Sequence, residues 1–199
     1  MTPHFNPTDY GPVLGSLLET APVNSLGPGR PVEVQRKSLE ALSSSTQSLE
    51  AAFVGHHIVD RSLAQACLAG LWLRFNFLDQ SHTISQEIHN ATGSFWHGMM
   101  HRREPDYDNA KYWFRRVGRH PVFATLCNAA KEAAVDSPDP ATKFLLQQTD
   151  WNPFAFVDLV SASKKGSAVE ELCRQIQLRE WELLFDFCYR AAIEQVRDE

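Results

Sequence analysis

Apolar residues in this chain recur every three or four positions, the spacing that lines one face of an α-helix, and nowhere alternate as in a half-buried strand. From Val32 onward, Val34, Leu39, Leu42 and Leu49 stand among polar residues, which predicts an amphipathic helix over about 32–50 with a break near SSST. Residues about 54–80 are apolar almost all round in LAQACLAGLWLRFNFL. That pattern predicts a central helix surrounded by the others, which either runs on through SHTISQEIH to about His89 or pauses there. Asn90-Ala-Thr-Gly93 is expected to end it, with the glycine as C-terminal cap, and Ser94 to cap a new helix from Phe95 to about Arg103. Pro105 breaks that one, and further helices are predicted at about 108–117, 121–134, 141–148 and 154–163. The last helix has the clearest pattern: Val169, Leu172, Ile176, Leu183, Leu184, Phe187, Cys188 and Ala191 keep a helical period from about 167 to 196.

With no strand or Asn-Gly hairpin signal, the fold class is all-α, a compact multi-helix bundle with seven or eight helices. Residues 1–31 are rich in proline and glycine, end in SLGPGRP, and read as an irregular N-terminal arm. Phe5, Tyr10, Leu14, Leu17 and Leu18 are the residues through which that arm is expected to pack on the domain. Residues 32–199 read as a single all-α domain.

Composition narrows the function classes. A chain of 199 residues, 43% of them hydrophobic, is long enough to bury roughly 70% of its unfolded surface around one core. Twenty-four acids against nineteen bases give a net charge of −5. Neither nucleic acid nor an anionic membrane is therefore an expected partner. Cys67, Cys127, Cys173 and Cys188 are widely spaced in apolar helical contexts, which predicts free, buried thiols rather than a disulfide framework. The first residues show neither the basic nor the apolar region of a signal peptide, and no window approaches the roughly 18 apolar residues of a membrane span. The chain reads as soluble and cytoplasmic, and a homo-oligomer is compatible with it.

Candidate chemistry concentrates in FWHGMMHRREPDYDNAKYWFRRVGRHP, Phe95 to Pro121. On a helix His97 and His101 share a face, so both imidazoles reach one divalent metal (Zn, Fe or Mn), with Glu104 a turn further as third ligand or acid–base group. Upstream, Asp79, His82, Gln86 and His89 share a face, and His82 is the third histidine placed on the metal if the two helices fold together. Gly98, Met99 and Met100 stand between the histidines, so the HExxH pattern is absent. The alternative is that the histidines hydrogen-bond helix ends and nearby carboxylates.

Arg102 and Arg103, with Lys111, Arg115, Arg116 and Arg119, suit a small anionic molecule, or else pair with Glu104, Asp106 and Asp108. Trp96, Tyr112 and Trp113, with Phe95, Tyr107 and Phe114, form either a stacking wall for a ligand or part of the core. His120 completes the candidate ligand-binding set. No GxSxG, P-loop, CxxC or GxGxxG after a strand occurs, so covalent catalysis and nucleotide cofactors are not expected.

Two resemblances follow from the same stretch. DYDNAKYWFRRV, with Gly98 upstream, resembles a single tetratricopeptide hairpin, and no 34-residue period repeats it. The wider run from Ser81 to Phe123, with DWNPFAFVDLV and QIQLREWELLFDFCY downstream, resembles a group of helical proteins that share such blocks. That likeness implies one intact domain and no particular chemistry. Two functions are therefore carried forward: a metal-assisted hydrolase or lyase with a His/Arg/aromatic small-molecule site, and a non-enzymatic helical interaction module with structural His and Arg.

Overall fold

In the computed structural model, which describes residues 4–193, the helical spacing becomes eleven α-helices among the described residues. They are α1 (Gly11–Glu19), α2 (Arg36–Ser43), α3 (Thr46–Ala51), α4 (Arg61–Arg74), α5 (Leu78–Gln86), α6 (Ala91–Arg103), α7 (Tyr107–Val117), α8 (Val122–Ala134), α9 (Lys143–Gln147), α10 (Pro153–Ala162) and α11 (Ala168–Ile193). No strand occurs among the described residues, and no helix there is long and apolar enough to cross a membrane.

The all-α reading therefore holds, and the count of seven or eight helices is corrected upward. The SSST stretch splits the first expected helix in two, because the Ser45 hydroxyl accepts the Ser48 N–H and starts α3. The central helix begins at Arg61 rather than near 54: Gly55 takes a positive φ in the preceding turn, and the Asp60 carboxylate accepts the Ser62 and Leu63 N–H groups. At the far end, α11 runs to Ile193, and residues 194–196 of the expected helix lie outside the described residues.

The arm also differs from expectation. Pro12 sits in the first turn of α1, where its missing N–H costs nothing, so a nine-residue helix forms inside the segment expected to be irregular. Tyr10, Leu14, Leu17 and Leu18 are buried, and Phe5 packs against the same core. After α1 the chain runs without helix from Ala21 to Val32, a strap laid across the ends of α4 and α6 and the flank of α11.

Three helices make the interior. α4 packs on α5, α6 and α11, while α8 lies on α11 and α10 on α7. α6 and α7 form an antiparallel hairpin in which Gly98 lets Phe114 come close: a Cβ there would stand 3.1 Å from the phenyl ring. α6 is the helix whose burial its composition hides, since twelve of its thirteen residues are buried, including His97, His101, Arg102 and Arg103. Polar groups so placed need partners, and the partners define the site.

Candidate metal centre

His97 and His101 lie one helical turn apart on α6, and α5 brings His82 against them. Each histidine offers one ring nitrogen within 4.8 Å of the others'. The His82 ring stands edge-on to His97 at 4.5 Å between centroids and to His101 at 5.4 Å. The His97 and His101 rings are nearly parallel at 4.8 Å. From α7, Trp113 stacks on His97 at 3.8 Å and 13°, which fixes that ring.

Burial sets the protonation state. Desolvation, helped by the neighbouring imidazoles of His101 and His82, pushes His97 down to about 3, so it is neutral at physiological pH. His101 is also lowered, by burial first, against the opposing pull of Glu104 and Asp106. Neutral imidazole is the form that binds a metal.

Partners differ between the rings. Nδ1 of His101 is 3.2 Å from the Glu104 carboxylate and 3.9 Å from Asp106, which places its proton on Nδ1 and the lone pair on Nε2. With that tautomer the Asn109 side-chain N–H donates to Nε2 at 3.1 Å, a bond that an ion on Nε2 would displace. Both ring nitrogens of His97 are buried without a hydrogen-bond partner. A tetrahedral ion with bonds of about 2.1 Å wants ligand atoms roughly 3.4 Å apart, so closure on an ion asks for side-chain rotations of about an ångström. Half-buried His82 has the freedom for them.

The remaining predicted site residues separate from this cluster. Arg102 is fully buried and makes a two-pronged pair with Glu180 of α11, its guanidinium 4.7 Å above the Phe156 ring. Arg103 gives its donors to the carbonyls of Gly27, Pro28 and Leu73 and to Asn76. These arginines are thus committed to the fold rather than presented to a substrate near His97, since burial makes a charged side chain take the nearest oxygens.

Trp96 is core, lying so close to Gly70 that a Cβ there would come within 2.8 Å of its indole. His120 is core as well: its Nδ1 accepts the Val122 N–H and its Nε2 meets the Thr92 hydroxyl at 3.1 Å, among Phe95, Phe123 and Phe187. Tyr112 is exposed on the outer face of α7, with Arg116 beside it and above Trp113. Of the aromatic candidates, Trp113 is the one stacked on the cluster of His82, His97 and His101, while Phe95 packs on His120. His89 sits exposed between α5 and α6.

Asp106 and Asn109 were not singled out as histidine neighbours from sequence, although folding α6 and α7 about Glu104-Pro105 as a hairpin sets position 109 opposite 101. Beside the centre, Glu104 and Asp79 also line an open cleft of about 520 Å³ whose other wall includes Pro28, Gly29 and Asn76. Comparison with known proteins finds no matching family model, no matching curated protein and no matching solved structure.

Proposed function

We propose that His82, His97 and His101 hold one divalent metal ion, Zn²⁺, Fe²⁺ or Mn²⁺, in a small-molecule hydrolase or lyase. The observation that carries this reading is His97. A neutral imidazole has one donor and one acceptor to satisfy, and burying both without partners is costly. His120 meets that demand within the same chain, while His97 has both nitrogens orphaned between two further imidazoles. A metal at this position would act as a Lewis acid and lower the pKa of a bound water.

The chain's own residues then have distinct tasks. Glu104 and Asp106 hold the proton on His101 Nδ1, so Nε2 would be the atom to meet an ion, in place of the Asn109 amide that it accepts from here. Trp113 holds the His97 ring against rotation. Glu104, about a third exposed, stands between the centre and the cleft and can exchange a proton with solvent or substrate.

The test is elemental mass spectrometry on tag-free protein, comparing wild type with His97→Ala/His101→Ala and with His82→Ala. The half-buried His82 can be removed with little change in circular dichroism, which separates metal loss from unfolding. Near-stoichiometric metal in the wild type, absent from His82→Ala, is the expected result. No metal in the wild type, together with no uptake of Zn²⁺ or Co²⁺ on titration, removes this reading and leaves the histidines as structural groups of an interaction module.

A further inference from the structure

α7 is held by α6 and by α10, and its outer face is open. That face begins with Tyr112, which is 46% exposed, and continues through the exposed Arg115 and Arg116, three and four residues on and so on the same side of the helix. Gly118 ends the helix, and Arg119 follows it at once, also exposed. The four side chains extend along about 10 Å of surface.

The charge on this face is uncompensated. Lys111, the other base of α7, is paired with Asp158 of α10 at 2.5 Å. Among the described residues, Arg115, Arg116 and Arg119 have no acidic partner. A helix C-terminus favours cations and accounts for bases in the last turn. It does not account for an exposed tyrosine among them, nor for another arginine beyond the cap.

The second observation is the way Arg116 is held. Its guanidinium lies 5.2 Å above the Trp113 ring and 5.9 Å above the Tyr112 ring, and its Nη1 meets the Tyr112 hydroxyl at 3.5 Å. Trp113 is in turn fixed by stacking on His97. A guanidinium laid on aromatic rings keeps N–H groups at its edge for a carboxylate, and it loses little freedom when one arrives.

Shape and charge select the kind of partner. On the outer surface of a helix a small anion would leave most of itself in water, whereas a chain laid along the helix touches all four side chains. Nucleic acid fits poorly, since a protein held by the DNA backbone neutralises about 6–10 phosphates, more than this face has arginines for. Any long polyanion, a membrane surface included, would also run onto a molecule whose net charge is −5. Arginine, tyrosine and tryptophan, in contrast, are the residues that carry most of the binding energy between proteins.

We propose that the open face of α7, formed by Tyr112, Arg115, Arg116 and Arg119, docks a short acidic segment of a partner protein. Carboxylates of the segment meet the arginines, and an apolar side chain between them lies on Tyr112. This face lies outside the trio of His82, His97 and His101, and the inference stands whether or not a metal binds there.

The probe is a capped pentapeptide of two glutamates, a leucine and two glutamates, titrated into the full chain at low salt. Backbone amide and Trp113 indole signals in heteronuclear NMR follow it. We expect saturable one-to-one binding in the millimolar range or tighter, with the shifts centred on Tyr112 to Arg119. Raising the salt to about 0.5 M should weaken binding about tenfold, because the charges are exposed and screened. The glutamine counterpart of the peptide, equal in size but uncharged, should not saturate. Arg115→Glu/Arg119→Glu should weaken the acidic peptide by about tenfold or more. Lys37→Glu/Lys164→Glu, which changes the net charge by the same amount at exposed positions elsewhere, should leave it within about threefold. All four substituted residues are exposed, so both chains should keep the fold, which circular dichroism verifies. Three results overturn the proposal: no saturable binding of the acidic peptide, equal binding of its glutamine counterpart, or equal weakening by the two double variants. Tighter binding of a single-stranded oligothymidylate or a phosphatidylserine vesicle than of the peptide overturns it as well.

Discussion

Arg102 reaches across the core to Glu180, and neither side chain touches water. Burial raises the Glu180 carboxyl, and the guanidinium facing it pulls the other way. Removing one partner leaves the other charged and buried, whereas replacing both with apolar groups removes the desolvation cost as well. Arg102→Met alone is expected to lower stability by about 3–5 kcal/mol, and Arg102→Met/Glu180→Leu to come within about 1 kcal/mol of wild type. Urea unfolding of the two single variants and the double variant checks this; additive losses would show that the pair is not coupled. From sequence, Arg102 looked like a ligand anchor beside His101. Position in a helix tells which face a residue is on, but Glu180 lies seventy-eight residues away and only packing brings it close.

At the scale of elements, Gly93 shows how one residue supports two opposite readings. After SHTISQEIH it looks like the residue that ends a helix. In the fold it is in the first turn of α6, Asn90 caps that turn by accepting the Gly93 N–H at 2.9 Å, and a Cβ on Gly93 would stand 2.1 Å from the Ile88 carbonyl oxygen. Helix propensity alone says that alanine there should stabilise by up to about 1 kcal/mol. The backbone contact says the reverse, and Gly93→Ala is expected to cost about 2–3 kcal/mol. A thermal melt decides between the two, since a raised Tm would contradict the close approach. Periodicity found α7, α8, α9, α10 and α11 to within a few residues, because each keeps a recognisable apolar stripe or cap, whereas it merged α4 with α5 and began the pair near 54 instead of at Arg61. It did not show that α6 is interior, because His, Arg and Ser among its residues imitate a solvent face.

For the whole molecule, buried neutral histidine links folding to pH. His120 accepts the Val122 N–H on Nδ1 and is held down to about 4 by burial, against an ordinary value of 6.5. Between those values the unfolded chain binds a proton that the folded chain refuses. His120 therefore contributes full stability above about pH 6.5, and that contribution is lost as pH falls towards 4. The difference corresponds to about 3 kcal/mol. His120→Gln, which cannot titrate, should show a shallower fall in unfolding free energy across pH 6.5 to 4, read from urea melts at a series of pH values. An unchanged slope would mean that His120 is already charged in the folded state.

The sequence by itself determined that the protein is helical, where the helices from α7 to α11 begin and end to within a few residues, that His97 and His101 share a face, and that Cys67, Cys127, Cys173 and Cys188 are free and buried. Those properties depend on spacings of a few residues or on composition. Tertiary structure alone decided that His82 is the histidine that joins them while His89 and His120 do not. It also decided that Arg102 and Arg103 face inward, and that the Pro/Gly-rich arm forms a helix and then a strap across the ends of α4 and α6. Those outcomes depend on which faces meet across long stretches of chain. A face can be read from a local pattern, but its neighbour is selected by the packing of the whole core.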